Sequence, residues 1–318
     1  MNEKILALLR ESSNHVSGEE ISRRLGITRS AIWKHIQELR QQGYEILAVP
    51  HRGYELAASP DKLLAEEISF DLKTKIIGTH IESYDILAST MDTAMERALQ
   101  GAPEGTIICA EGQHRGRGRL GRSWLSAKGK GIYCSLILRP HFSPAESPKL
   151  TLLSAVAVCR AIRTTTRLDC LIKWPNDLFI GNKKVGGILT EMNAELDRVK
   201  FVIIGFGINV NTPLSLLPPK ATSLKDESQE RISRVGLLRE ILREFEKEYL
   251  ELRHGKFSSV LERWRKLSTT LGHRVTIASP KEHIEGEALD IDDDGGLLVR
   301  LDSGFVEKVI VGDVVKVR

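Results

Sequence analysis

Between Gly112 and Gly131 the chain carries four arginines, two lysines and no acidic residue. A cationic stretch punctuated by Gly112, Gly116, Gly118, Gly121, Gly129 and Gly131 has no apolar face to bury, so it must run as a loop. Strand-like runs at 106–110 and 132–138 flank it, which predicts a loop held on two strands of a compact domain rather than a disordered tail. Glycine lets backbone approach a ligand closely, and each arginine offers forked donors matched to phosphate or carboxylate. The expectation is a mobile loop that orders over an anion. An RGG-like nucleic-acid contact and a merely solvated loop are the rival readings. No GxxxxGK[ST] motif occurs, so it is not a Walker loop.

The 318 residues predict two or three domains. With 41% apolar and 28% charged residues the chain reads as globular, and a net charge of +4 is too small to identify a nucleic-acid partner by itself. Cys109, Cys134, Cys159 and Cys170 lie singly in apolar stretches, without CxxC spacing, and are expected to be buried thiols rather than zinc ligands or disulfides. Met1-Asn2-Glu3 leads straight into a charged helical pattern without a signal-peptide core, and no apolar run is long enough to span a membrane. A cytoplasmic protein is expected.

The first segment reads as a winged helix-turn-helix, with a domain boundary expected at residue 60. Ile5, Leu6, Leu8 and Leu9 mark one amphipathic helix, and Ser17 with Glu20 makes a capping box for a second helix over 18–25. Gly26 breaks that helix, and Thr28 caps a third with an apolar stripe of Ala31, Ile32, Ile36 and Leu39. Ser17, Gly18, Thr28, Arg29, Ser30, Trp33, Lys34 and Gln37 are the candidate DNA contacts, joined by Arg52 at the tip of a β-hairpin around Pro50-His51-Arg52. Residues 1–57 hold eight basic and seven acidic side chains, so bulk charge does not separate DNA binding from a plain helical module; the capped turn and the wing favour DNA. Ala57-Ala58-Ser59-Pro60 reads as a linker.

A helix is expected over 61–71. From 76 to 265, strands at 106–110, 132–138, 171–173, 184–190 and 201–208 mix with helices at 91–100, 148–165, 233–253 and 258–267. Consecutive strands predict an α+β domain, 61–268, around a mixed sheet. Phe245, Tyr249 and Leu252 share a helical face and read as core. Five short β runs separated by Asp292-Asp293-Asp294-Gly295-Gly296 and Asp302-Ser303-Gly304 predict a small SH3-like barrel over 269–318. The acidic turn lacks EF-hand spacing and is expected to be solvated.

Two further stretches bear chemistry. Lys173-Trp174-Pro175-Asn176-Asp177 reads as a rigid turn between strands, followed by Lys184 at the head of an apolar strand, with Gly186 and Gly187 leaving space beside it. Gly205-Phe206-Gly207-Ile208-Asn209 closes another strand and offers close approach plus an amide.

GRGRxGR followed by Trp124, then KWPND, then KxxGIL with an acidic residue after it, then GxGxN, resembles the biotin protein ligase family. With the N-terminal winged unit, the chain resembles the bifunctional members that also repress the biotin operon. The resemblance implies a class II synthetase-like catalytic domain that makes biotinyl-5′-AMP from biotin and ATP, then biotinylates a lysine. The acceptor it implies is a biotin carboxyl carrier domain of acetyl-CoA carboxylase or another biotin-dependent carboxylase. By that resemblance Ser89, Thr90, Met91, Gln113, Gly116, Arg117, Gly118, Arg119, Trp124 and Lys184 bind biotin, although Met91 stands where the family often has Asn or Gln. Arg119, Arg122, Asn176, Asp177, Lys184 and Asn209 are assigned to ATP or the adenylate, and Asp177 and Asn209 to Mg2+. Arg117, Arg119 and above all Lys184 are expected to neutralise charge as carboxylate meets phosphate. A ligand-favoured homodimer on operator DNA, with the adenylate as co-repressor, is likewise implied. The rivals are a lipoate ligase, a ligand sensor without catalysis, and a ligase that does not bind DNA.

Overall fold

The computed structural model describes residues 1–12, 15–195, 198–278 and 283–317. The chain divides into two compact units, residues 1–62 and 63–318.

The first unit holds α1 (Asn2–Glu11), α2 (Gly18–Leu25), α3 (Arg29–Gln42) and the hairpin β1 (Glu45–Val49) and β2 (Gly53–Ala58). Ile5, Leu6, Leu8 and Leu9 meet Ile21, Ile32, Ile36 and Leu39 in the buried centre. Ser17 Oγ accepts from Glu20 N at 3.0 Å, its half of the expected capping box, and Thr28 Oγ1 accepts from Ala31 N at 3.3 Å, so both N-caps are made. Gly53 takes φ +109°, and a Cβ there would lie 2.1 Å from Val16 O. That contact lets Val16 and Tyr54 exchange two backbone hydrogen bonds, pinning the hairpin to the segment before α2. Ala57 and Ala58, read as linker, close β2 instead, because pairing with β1 runs to Ala58.

In the second unit α4 spans only Ala65–Ser69, shorter than the expected helix, and β3 (Ile81–Leu87) then leads into α5 (Thr90–Leu99). Strands β4 (Ile107–Gln113) and β5 (Ile132–Leu138) flank the glycine–arginine segment, and α6 (Ser147–Thr166) follows. Next come β6 (Cys170–Lys173), β7 (Asp177–Ile180), β8 (Lys183–Glu195) and β9 (Arg198–Ile208). Helices α7 (Leu224–Ser228), α8 (Arg234–Arg253) and α9 (Phe257–Leu267) complete the domain. The seven strands form a mixed sheet in the order β3-β4-β5-β9-β8-β7-β6, parallel at β3–β4 and antiparallel elsewhere. Strands β3 and β7 and helix α7 went unforeseen: Tyr84 and Asp85 break the apolar alternation of the first, and the others are only four and five residues long.

One sheet face is covered by α6, α8 and α9; the other carries α5, whose Met91, Ala94 and Ala98 pack on Ile108, Ile137, Phe201 and Ile203. Helix α6 is buried almost all round, which matches a helix held between layers. Phe245 and Tyr249 lie in the core, as expected, with Leu252 partly buried beside them. All four cysteines are free and buried.

Strands β10 (Arg274–Ala278), β11 (His283–Ile291), β12 (Leu297–Leu301), β13 (Val306–Val309) and β14 (Asp313–Val317) make an antiparallel sheet ordered β13-β12-β11-β10-β14. Its apolar residues continue the same buried cluster as the central sheet, so the two β layers share one unit. The acidic turn is closed on itself: Asp292 Oδ1 accepts from Asp294 N and Gly296 N, and Lys308 pairs with Asp292 and Asp294. No helix among the described residues is long and apolar enough to cross a membrane.

Candidate active site and candidate DNA-reading surface

The glycine–arginine segment folds as a short hairpin over the sheet. Gly118 N donates to Arg122 O and Trp124 N to Gly116 O, closing the loop around a tight turn in which Leu120 and Gly121 have positive φ. Gly116 faces this hairpin's base, since a Cβ there would lie 2.4 Å from Trp124 O. Beneath the hairpin is a cavity of about 220 Å³.

The cavity has a neutral end and a charged end. At the neutral end the first backbone N–H of α5, Thr90 N, donates to Gln113 Oε1 at 2.7 Å, and Thr90 Oγ1 donates to the same atom at 3.1 Å. Ser135 Oγ donates to Thr90 Oγ1 at 2.9 Å, while Gln113 Nε2 donates to Ser126 Oγ at 2.8 Å. Ser89, the N-cap residue, has a buried hydroxyl that finds no partner among the described residues. With Thr90 N already taken by Gln113 Oε1 and only hydroxyl and amide side chains gathered around it, this end suits a neutral polar head group.

The floor is bare backbone. Cβ atoms on Gly207 and Gly205 would lie 2.6 Å from Trp124 Cε2 and from Met91 Sδ respectively, so the indole and the thioether rest directly on β9. Met91 thus fills space from the α5 side and offers no side-chain donor. Cys134 lines the same wall, its thiol pushed by burial up to about 12.

The charged end gathers four cations, each held by a carboxylate. Lys184 Nζ sits 2.6 Å from Asp177 Oδ1 and 5.6 Å from the centre of the Trp124 ring. Arg119 donates to Asn176 Oδ1 at 3.0 Å and pairs with Asp313, which also meets Arg122 at 2.9 Å. Arg117 pairs with Asp92 at 3.2 Å and with Glu191. Asn176 is fixed by two bonds to Ile188: its Nδ2 donates to Ile188 O, and Ile188 N donates to its carbonyl. Asn209, only 4% exposed, gives its amide to Thr222 O and so holds the 217–222 segment against the cavity.

Of the residues singled out from sequence, Thr90, Met91, Gln113, Arg117, Gly118, Arg119, Arg122, Trp124, Asn176, Asp177, Lys184 and Asn209 all line this one cavity. Ser89 and Gly116 do not line it, although each adjoins in the chain a residue that does, Thr90 and Arg117. Sequence reading missed Ser126 and Ser135, the Leu217-Pro218 and Ala221 wall, and Asp313, which arrives from β14. No local spacing announces Asp313; only folding of the C-terminal sheet onto the domain brings it there.

In the first unit Arg29, Ser30, Trp33, Lys34 and Arg52 are exposed, and Gln37 is half-buried on the same helix. Trp33 is 59% exposed although Ile32 and Ile36 beside it are buried. Ser17 and Thr28 use their hydroxyls as caps.

Three family profiles match the chain: "HTH domain" over residues 2–55, "Biotin/lipoate A/B protein ligase family" over 83–209, and "Biotin protein ligase C terminal domain" over 270–317. The Bifunctional ligase/repressor BirA of Bacillus subtilis (strain 168) is 42% identical, over 99% of this chain and 98% of its own. The same-named protein of Escherichia coli (strain K12) is 30% identical over 98% and 95%. Among solved structures, the biotin protein ligase from Aquifex aeolicus in complex with biotin and ATP superposes with a TM-score of 0.65 at 26% identity, covering 76% of this chain and 99% of that one. Fold and site define a ligase joined to a helix-turn-helix unit. The chain belongs to the biotin protein ligase family, among its bifunctional ligase/repressor members.

Proposed function

We propose that the protein condenses biotin with ATP to biotinyl-5′-AMP, transfers biotin to a lysine of a biotin carboxyl carrier domain, and represses the biotin operon with the adenylate as co-repressor. The observation that carries the catalytic part is the single cavity in which a neutral polar end meets Lys184, Arg119 and Arg122.

The biotin head group occupies the neutral end, hydrogen-bonded by Ser89, Thr90 and Gln113, with its ring system against Met91 and its tail along Gly116–Gly118 and Trp124. The carboxylate then points to Lys184. In the first step a carboxylate oxygen attacks the α-phosphorus and pyrophosphate leaves. Two anions converge, so the barrier is lowered chiefly by fixed positive charge. Lys184 is set for this, because Asp177 and the Trp124 ring fix its position. Arg119 and Arg122 exchange Asp313 for phosphate oxygens, and Arg117 secures the hairpin through Asp92 and Glu191. The closed hairpin keeps water from the mixed anhydride until the acceptor arrives.

Among the described residues no group of three His, Cys, Asp or Glu side chains could hold a metal alone. Asp177 and Asn209, which both line the charged end, are the residues that would hold Mg2+, and the ion bound there would supply positive charge to the pyrophosphate leaving group.

The class II synthetase-like sheet and an SH3-like closure of β10–β14 belong to the same reading, as do domain limits at 60 and 268. Operator contacts come from Arg29, Ser30, Trp33, Lys34, Gln37 and the wing residue Arg52, with Ser17, Gly18 and Thr28 placing helix ends near phosphates. A homodimer formed on adenylate binding would place two such units on a two-fold operator in the cytoplasm.

Biotin-dependent exchange of labelled pyrophosphate into ATP, with lipoate in parallel, tests the ligase. Exchange with biotin alone is expected; none with either acid refutes it. A mobility shift on a two-fold biotin-operon operator that requires biotin and ATP tests repression, and no shift refutes it.

A further inference from the structure

A second cavity, of about 160 Å³, lies beyond the charged end of the first. The two share Arg119 and Ile188 in their walls. The second is bounded by the start of α6, the Trp174-Pro175 turn, the β8 edge at Ile188 and Thr190, and Gly295 and Ile310 of the C-terminal sheet. Its lining is apolar at Pro148, Leu152, Trp174, Pro175, Ile188 and Ile310. Hydroxyls enter at Ser147, Thr151 and Thr190, and Thr151 Oγ1 lies 2.8 Å from Thr190 Oγ1, bridging α6 to β8. Nothing in the first-step chemistry uses this space.

We propose that this cavity is the entry slot for the acceptor's primary alkylamine, the lysine that takes biotin from the adenylate. The proposal rests on the ligase reading above. With the arginine hairpin closed over the adenylate, the nucleophile needs a route that does not reopen the hairpin. We place that route in the slot, whose wall is shared with the first cavity at Arg119 and Ile188. A cavity of about 150 Å³ accommodates benzene, so this one has room for four methylenes and an amine. The methylenes contact the prolines, Leu152, Ile188 and Trp174, and the nitrogen finds hydroxyl acceptors at Thr151 and Thr190.

The lining has no carboxylate and one cation, Arg119. Burial among these apolar side chains disfavours an ammonium, so the slot delivers the neutral amine. That nitrogen attacks the acyl carbon, the C–N bond forms, the acyl C–O bond to phosphate breaks, and AMP departs with the electron pair. The proton released from nitrogen leaves on the AMP phosphate, and the mouth of the slot is marked by Ile310, 57% exposed. Pocket-filling from two different walls separates this role from a structural one.

The test uses the full chain with Thr151→Leu and Thr190→Leu, the conservative Thr151→Ser and Thr190→Ser, and Ile310→Trp at the exposed mouth, where folding is least affected. Three activities are read: biotin-dependent pyrophosphate exchange, biotinylation of a carrier domain, and release of biotinyl hydroxamate by hydroxylamine, a nucleophile too small to be blocked. Expected are exchange and hydroxamate release within twofold of wild type, with carrier biotinylation down at least tenfold in kcat/KM in the leucine and tryptophan variants and retained in the serine variants. Carrier biotinylation within twofold in the leucine and tryptophan variants overturns the proposal, as does hydroxamate release or exchange falling in step with it. Absence of exchange in the wild-type protein would instead refute the ligase reading.

Discussion

Replacing Gly207 by alanine isolates what the bare floor of the pocket contributes. The new Cβ would lie 2.6 Å from Trp124 Cε2, 2.7 Å from Nε1 and 3.0 Å from Cδ2. Carbon atoms rest at about 3.5–4.0 Å, so the indole must rise by about 1 Å into the space above it. The indole carries Lys184 on its face, 5.6 Å from the ring centre, so moving the ring moves the lysine's support with it. A shift of about 1 Å between reacting groups costs on the order of 100-fold in rate, or about 2.7 kcal/mol. Gly207→Ala should therefore lower kcat/KM for biotin-dependent pyrophosphate exchange about 100-fold, with a stability cost of about 1–3 kcal/mol that leaves the protein folded at the assay temperature. Gly205→Ala is the control. Its Cβ would meet Met91 Sδ, also at 2.6 Å, but that atom is near the end of a flexible side chain that can turn away. A loss of about tenfold or less is expected there. Adding Trp124→Ala to Gly207→Ala should recover part of the loss, because the clash then has no partner. If Gly207→Ala stays within threefold of wild type, or proves milder than Gly205→Ala, the indole does not set the position of the reacting groups and the reasoning fails.

Lys184→Met should reduce pyrophosphate exchange by about 100- to 1,000-fold in kcat with little change in KM for biotin, since it removes positive charge where charge develops and leaves Asp177 facing the phosphates; a loss under tenfold would exclude Lys184 as the main electrostatic catalyst. Arg29 and its partner Glu19 are both largely exposed at 3.2 Å, so Arg29→Ala should leave stability and ligation intact while reducing the salt slope of operator binding by about 1, which titration at several salt concentrations would show. The Cys134 thiol is raised from 9.0 to about 12 because burial disfavours its thiolate. With the folded value above the unfolded one, its contribution to stability is present below pH 9 and is lost as pH climbs towards 12. Melting curves across that window should show a shallower alkaline decline in Cys134→Ala than in wild type, and an identical decline would contradict the assignment.

Much of the site was legible in the sequence because many of the residues that line the cavity are poor at anything else. Arginines alternating with glycines cannot fill a core, Lys184 heads an apolar strand, and Ser17 and Thr28 make the hydrogen bonds that capping residues make. Serine gives no such sign. Ser126 and Ser135 are ordinary residues in ordinary segments until Gln113 and Thr90 are placed between them. Asn209 was read as a ligand-facing amide, and its Nδ2 turns out to hold the 217–222 segment through Thr222 O.

Local order was settled within the chain itself: where helices start, where turns must fall, and which stretch had to stay out of the core follow from caps, glycines and the period of apolar residues, all effective over a few bonds. What stands opposite what was not. Asp313 reaches Arg119 across 194 residues, and Met91 settles over a glycine on a strand more than a hundred positions away. Such pairings form only when two β layers and the helices packed on them bury their apolar side chains together, because that burial, a property of the whole chain, fixes which groups end up face to face.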